Sequence, residues 1–248
     1  VSLHLRRQYP EARIIGFLPA MNIFEYPERP TAGWAFGFME SARSQIDTYV
    51  TQNDRMAEIG RCLFRYVART ELRDRILVCP LGIIDEQIQT LPPREDVRTE
   101  MGLAADDIAF INAGGPWSWT DYNTFLRAFC NVVRGGVTNI KFTVLGFKQP
   151  ENPEHEDSVN ETKAIIAANK DLVGKNLIVI EDWYEASAKA NRFTYASDVG
   201  VNVSMDTVEN YQSYRLRFLE YMKVGLPVIH TSGDDLSAHA AADAVYAV

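Results

Sequence analysis

Past Asp107 the hydrophobic positions follow a regular beat, in which short β-branched runs alternate with longer stretches of helical apolar spacing. The runs predict strands at Ile108–Asn112, Lys141–Leu145, Asn176–Ile180, Val199–Val203 and Pro227–His230. The stretches predict helices at Thr120–Val133, Val159–Asn169, Glu185–Tyr195 and Ser213–Val224. Strand, helix, strand at this rhythm implies a parallel sheet covered on both faces. Ligands of such sheets bind beyond the carboxyl ends of the strands.

The first part of the chain is less regular. It holds a strand-like Ala12–Pro19, an aromatic, proline-punctuated loop from Met21 to Trp34 and a helix near Gly37–Ile46. A β-rich Asp47–Thr51 follows, then a helix capped by Asn53 or Asp54 and running through Tyr66, then a strand at Arg75–Cys79. Thr90–Arg94, with Pro92-Pro93, reads as a linker. The pattern gives an α/β protein of two units, residues 1–103 and 104–248. The chain starts without Met and its last residues, AAADAVYAV, read as an unfinished helix, so the first unit and the C-terminus are expected to be incomplete parts of a longer protein.

Composition narrows the partners. A content of 46% hydrophobic residues in 248 is enough for real cores. The formal charge of -8 argues against nucleic acid, which needs a basic stripe. Cys62, Cys79 and Cys130 form no Cys-x-x-Cys pair, which fits a reducing, cytoplasmic compartment. No apolar run reaches the length of a bilayer span, while peripheral membrane contact stays compatible with the chain. No Asp-x-Asp motif occurs in the chain, and neither a metal nor a cofactor is expected.

The most telling stretch is Ser213–Ile229, SYRLRFLEYMKVGLPVI. Leu216, Leu219, Met222 and Lys223 recur at helical spacing, Gly225 and Pro227 stop the helix, and Val228-Ile229 begin a buried strand. Upstream, the strand FINAGG runs into PWSWTDYNTFLRAF. There Gly114-Gly115 lets backbone approach a ligand, and Thr120 or Asp121 can cap the next helix. Both segments resemble glycosyltransferase family 4. FLEYMKVGLPVI is similar to its LEAMACGxPVI donor-site helix, and GGPWSWTDYNTFLRA to the GGIWDWxDPxTxIRA segment of a bacterial subset.

The resemblance implies two Rossmann-like units in the GT-B manner, a partial acceptor-side unit over 1–103 and a donor-binding domain over 104–248. It implies transfer of a sugar from a nucleoside diphosphate sugar to a hydroxyl acceptor such as a glycan or a lipid-linked saccharide, with retention and without a metal. It places Glu220 on the acid that holds the nucleotide ribose, Gly114 and Gly115 at the phosphates, and Trp183 and Tyr184 at the base. The family's second, upstream Glu falls on Gln212, with Glu209 the nearest acid, and Ser213-Tyr214-Arg215-Leu216-Arg217 falls on the subset's SFRTR.

The diphosphate-binding Arg and Lys of family 4 have no counterpart after Gly115. Arg215, Arg217 or Lys148 stands in their place, with Arg215 favoured because it lies at a helix start; for Arg217 a surface residue paired with an acid is the better reading. The catalytic group is left open among Arg215, Gln212 and Glu209. Two rival readings stand beside the transferase: a degenerate module that binds sugar nucleotides or glycans, and a sugar-nucleotide epimerase. For the second, His155, His230 and His239 are poorly suited acid/base groups.

Overall fold

The structure is a computed structural model describing residues 2–18, 45–66, 69, 75–82, 90–148, 156–213, 215–234 and 245–247. The expected aromatic loop and most of the helix near Gly37–Ile46 lie outside these. In chain order the elements are α1 (Ser2–Gln8), β1 (Ile15–Phe17), β2 (Thr48–Thr51), α2 (Asp54–Tyr66), β3 (Ile76–Val78), α3 (Arg94–Glu100), β4 (Ile108–Asn112), α4 (Tyr122–Arg134), β5 (Ile140–Lys148), α5 (Glu156–Ala168), β6 (Leu177–Asp182), α6 (Trp183–Ala196), β7 (Val199–Asn202), α7 (Val208–Gln212), α8 (Leu216–Lys223), β8 (Val228–His230) and β9 (Val245–Ala247).

The chain divides into two compact units, the first comprising Val1–Leu81, Asp206–Tyr214 and Gly233–Ala238, the second Gly82–Met205, Arg215–Ser232 and His239–Val248. This differs from the expected 1–103 and 104–248. Helix α3, placed in the first unit by sequence, is tied to the second by charge. Arg94 Nη2 donates to Asp198 Oδ1 at 2.6 Å, and the buried Arg98 donates to Asp198 Oδ2 at 3.0 Å and to the Asp107 carbonyl at 2.7 Å. Burial pushes the Asp198 carboxyl up, but the Ala109 N–H and both guanidinium groups outweigh it and hold the acid below its ordinary value.

The first unit is a three-stranded parallel sheet in the order β1-β2-β3. Asn53 caps α2, its Oδ1 accepting the Met56 N–H at 2.8 Å, and its Nδ2 donates to the Gln212 carbonyl at 3.0 Å, so one side chain starts α2 and ends α7. Tyr49 and Phe64, with ring centroids 4.9 Å apart, fill the core between β2 and α2.

The second unit is a six-stranded, all-parallel sheet in the order β6-β5-β4-β7-β8-β9. Its core gathers α4 against β5: Tyr122, Phe125 and Phe129, one row of a helix face, all pack on the Phe142 ring at centroid distances of 6.0, 5.2 and 5.4 Å. Each such ring contributes about 1.5–3 kcal/mol on burial.

Three local expectations give way here. The end of the chain is strand rather than helix: Val245–Ala247 pairs with β8, where a β-branched and an aromatic residue suit a pleated surface better than the preceding alanines predict. The helix expected at Ser213–Val224 begins only at Leu216. Its buried side chains are Phe218, Leu219 and Tyr221, while Leu216 and Met222 are 58% and 48% exposed, so the inward face is turned from the expected stripe. Before α4, Asp121 occupies the cap position without a side-chain bond, and Thr120 Oγ1 donates instead to the Trp117 carbonyl at 2.7 Å.

Tyr221 lies flat on Gly200 in β7, where an added Cβ would stand 2.6 Å from its Cδ2. Gly200→Ala should therefore overpack the contact and lower stability by about 1–3 kcal/mol. Gly82→Ala, with nothing within 4 Å, is the matched control. Urea midpoints that move equally for both variants would refute the close approach.

Candidate functional site

The strand order of the second unit reverses between β4 and β7, the switch point beyond whose carboxyl ends a ligand crevice forms in sheets of this kind. Tyr221 occupies that gap. Its hydroxyl accepts the Ala113 N–H at 3.0 Å and lies 3.1 and 3.0 Å from the carbonyls of Ile111 in β4 and Val201 in β7. One turn earlier on α8, the half-buried Arg217 reaches the loop after β4: a Cβ on Gly114 would stand 3.2 Å from its Cζ. The expectation of a surface arginine paired with an acid is not met. No carboxylate or carbonyl pairs with Arg217 among the described residues, and its charged and phenolic neighbours are Tyr221, Arg215 and Tyr122. Burial pulls the Arg217 pKa down, the nearby Arg215 charge acts in the same sense, and the two phenols oppose them.

The loop from Ala113 to Asp121 is pinned by backbone bonds. The Gly114 N–H donates to the Asn112 carbonyl at 2.9 Å, the Trp117 N–H to the Gly115 carbonyl at 3.1 Å, and the Met205 N–H to the Trp119 carbonyl at 3.0 Å. Trp117 and Trp119 stack with centroids 5.3 Å apart and planes 2° from parallel, and Trp183 meets Trp117 edge-on at 6.1 Å. Trp183 in turn covers Gly146, whose φ of +63° admits glycine readily and whose Cβ would stand 3.2 Å from the indole. Between Ala113, Gly114, Gly146, Trp183 and Ala186 lies a cavity of about 100 Å³ at the carboxyl edge of β4 and β5. A larger hollow of about 270 Å³, beside Lys141 and Lys175, lies at the opposite, amino edge of β5 and β6.

The sequence-predicted residues fall into three groups. Gly114, Gly115, Arg215, Trp183 and Glu220 belong to the second unit, and Gly114 lines the cavity walled by Trp183. Glu220 is 45% exposed and accepts from Lys223 Nζ at 3.3 Å on its own helix. Tyr184 is 72% exposed, and Asp182 caps its helix, accepting the Glu185 N–H at 2.9 Å. Lys148 ends β5 in register with Asp182. Glu209, Gln212 and Ser213 lie in the first unit and are buried, Ser213 Oγ donating to the Asn210 carbonyl at 3.0 Å. Tyr214 lies outside the described residues, as do His155 and His239. His230 is buried against Phe218, ring centroids 4.9 Å apart, with its Nδ1 2.9 Å from Asn202 Nδ2. Sequence reasoning missed Tyr221 and Tyr122; the signal for the first was Gly200, a glycine inside a strand where another group comes close. No group of three or more His, Cys, Asp or Glu able to hold a metal ion occurs among the described residues.

No family model matches the chain, and no curated protein does. Solved structures do. A trehalose-6-phosphate synthase studied with bisubstrate glycomimetics is similar over 99% of this chain and 59% of its own, with a TM-score of 0.73 at 13% identity. An E. coli trehalose-6-phosphate structure bound with UDP-2-fluoro glucose gives 0.69 at 14% identity over the same shares. WaaG, a glycosyltransferase involved in lipopolysaccharide biosynthesis, gives 0.61 at 15% identity over 96% of this chain and 64% of its own. The chain thus spans about three fifths of the length of these proteins. What it shares with them is the fold, the α/β arrangement of GT-B glycosyltransferases with parallel sheets flanked by helices.

The buried phenols give the second unit an alkaline limit. Burial pushes the Tyr221 pKa up to about 12, and that of Tyr122 higher still than its ordinary value. The folded state keeps these protons after the unfolded chain has begun to lose them near pH 10, so the stability they carry is complete below pH 10 and falls as pH rises through about 12. Tyr221→Phe should flatten that fall, while costing about 1–3 kcal/mol at neutral pH by stranding the Ala113 N–H. Unfolding midpoints measured from pH 7 to 12 test both, and an unchanged alkaline slope would sink the assignment.

Proposed function

We propose that this chain takes part in transfer of a glycosyl unit from a nucleoside diphosphate sugar to a hydroxyl acceptor. The observation that carries the proposal is the carboxyl edge of β4 and β5 in the second unit, where Gly114 lines a small cavity walled by Trp183. Structural neighbours that are glycosyltransferases, one bound with a UDP-sugar analogue, support it. In this reading, the loop and Arg215 receive the diphosphate, with Lys148 as a further cation. Trp183, with Tyr184 at its rim, borders the base, and Glu220 holds the ribose. Ser213 and Tyr214 belong to the donor-binding residues, and Gln212 and Glu209, with Arg215, are the candidates at the transferred sugar. The protein's share of the chemistry is to stabilise the departing diphosphate with preorganised donors, which matches retention without a metal.

The proposal extends to a family 4-like member of the bacterial subset with the Trp-rich loop. It would act in polysaccharide biosynthesis, in the cytoplasm or at a membrane surface, on a glycan or lipid-linked acceptor. A binding module without turnover is the second reading. It is favoured by Gln212, a fully buried amide where the upstream acid of such enzymes would stand. Release of free nucleoside diphosphate from a donor sugar separates the two.

Among nucleoside diphosphate sugars, the cognate donor should raise the unfolding free energy by about 2.7 kcal/mol at a hundred times its dissociation constant. The effect should survive chelator; complete loss restored by Mg or Mn would contradict a metal-independent site. Glu220→Gln should weaken ribonucleotide binding by about 1.5–3 kcal/mol, since it removes charge-assisted bonds to vicinal hydroxyls. If Glu220 serves only its pair with Lys223 on its own helix, ribonucleotide binding should not change. Calorimetry with a ribonucleotide and its 2'-deoxy counterpart decides, and a wild type that does not distinguish them removes Glu220 from the site.

A further inference from the structure

Helix α7 is five residues long, too short to hold itself, because nearly all of its carbonyls fall in the last turn of a helix, where no intrahelical partner exists. Its shape is imposed from both ends. At the start, Thr207 Oγ1 accepts the Asn210 N–H at 3.2 Å. At the far end, three successive carbonyls go to two side chains from the start of α2, within the same unit. Arg55 Nη1 donates to Tyr211 at 3.2 Å, and Asn53 Nδ2 donates to Gln212 at 3.0 Å and to Ser213 at 3.4 Å. The Arg55 guanidinium also lies over the Tyr211 ring at 4.4 Å and donates to the Gly233 carbonyl, so both returns of the chain to the first unit are tied to one helix turn.

Asn53 is the fixed member of the pair. It is 2% exposed, and its amide can point only one way. Its Oδ1 accepts the Met56 N–H at 2.8 Å, and its own carbonyl takes the Ala57 N–H and the Thr51 hydroxyl at 3.1 and 3.2 Å. A flipped amide would set its NH2 against an N–H and its oxygen against two carbonyls. Glu209 and Gln212 stand three residues apart, hence on one face of α7, and are 4% and 0% exposed. We propose that Asn53 is a positioning residue which, with Arg55, sets where Glu209 and Gln212 stand at the transferred sugar. It acts through main-chain carbonyls: without its two donated bonds the short turn opens and both side chains move. The role of Glu209 and Gln212 rests on the nucleotide-sugar reading; the hold on α7 does not.

Asn53→Asp separates the two ends of the amide. It keeps the oxygen that caps α2, where negative charge is favoured, and replaces the donor that holds α7 by an acceptor. Hydrogen exchange on the full chain should show the Tyr211 and Ser213 amides exchanging about ten- to a hundredfold faster, while the Met56 and Ala57 amides of α2 keep wild-type rates. Thr51→Val removes a hydroxyl bonded to the Asn53 carbonyl and none bonded to α7, so it should lower global stability with no selective change at α7. Release of nucleoside diphosphate from UDP-, ADP- and GDP-glucose should fall in kcat by about ten- to a hundredfold for Asn53→Asp, with a smaller change in KM, and stay near wild type for Thr51→Val. Should Asn53→Asp not fold, Asn53→Ser, which also keeps a capping oxygen without the amide donor, carries the test. Equal opening of α2 and α7, unchanged exchange at α7, or full turnover with α7 loosened overturns the positioning role. A wild type that releases no nucleotide from any of the three donors, in a protein whose α7 still opens in Asn53→Asp, overturns the transferase reading and leaves Asn53 as the anchor of α7.

Discussion

The second unit depends on a single phenol. Tyr221 joins three things that would otherwise be independent: the end of β4, the end of β7 and the helix that crosses above both. At a switch point, adjacent parallel strands send their connections to opposite faces, so the gap beyond them has no chain of its own to fill it. A ring lying on Gly200 and a hydroxyl meeting three main-chain groups close the floor of that gap. They leave the ceiling to the Gly114-Gly115 loop. Position rather than chemistry is what Tyr221 supplies, and its raised pKa keeps it a neutral donor and acceptor at any ordinary pH.

Much of this was legible in the sequence for a simple reason. Strands buried on both faces read as short, nearly continuous apolar runs, and β4 was located to the residue because Asp107 and Asn112 bracket such a run. The break between α7 and α8 was not legible. Gln212, Ser213 and Arg215 carry no strong breaker, and the helix ends because Asn53, far away in sequence, takes the Gln212 carbonyl. The C-terminal strand was misread for a related reason: alanines favour helix locally, while the edge of β8 offered hydrogen bonds that no local pattern records.

The candidate site divides along the same line. The Gly-Gly loop and the Gly-Leu-Pro stop are local signals, and both were found. The role of Arg217 depends on which face of α8 turns inward, and that was assigned by counting aliphatic residues. Phe218 and Tyr221 won the inward face over Leu216 and Met222, and with that rotation an arginine read as solvated came to lie against Gly114. Which way a short helix rolls is decided by the shape of what lies beneath it, here a bare glycine in β7 that accepts an aromatic ring.

The two units are stitched together by the chain more than once. The polypeptide leaves the second unit at Asp206, returns at Arg215, leaves again at Gly233 and comes back at His239. Neither unit is therefore a bead that evolution could copy or shuffle by cutting one linker. A fragment starting at Gly82 would keep α7 but lose the Asn53 amide that donates to its last carbonyl, and a fragment ending at Leu81 would lose α7 altogether. Exchange of one unit for another would need matched breakpoints at both excursions, so the two units inherit together.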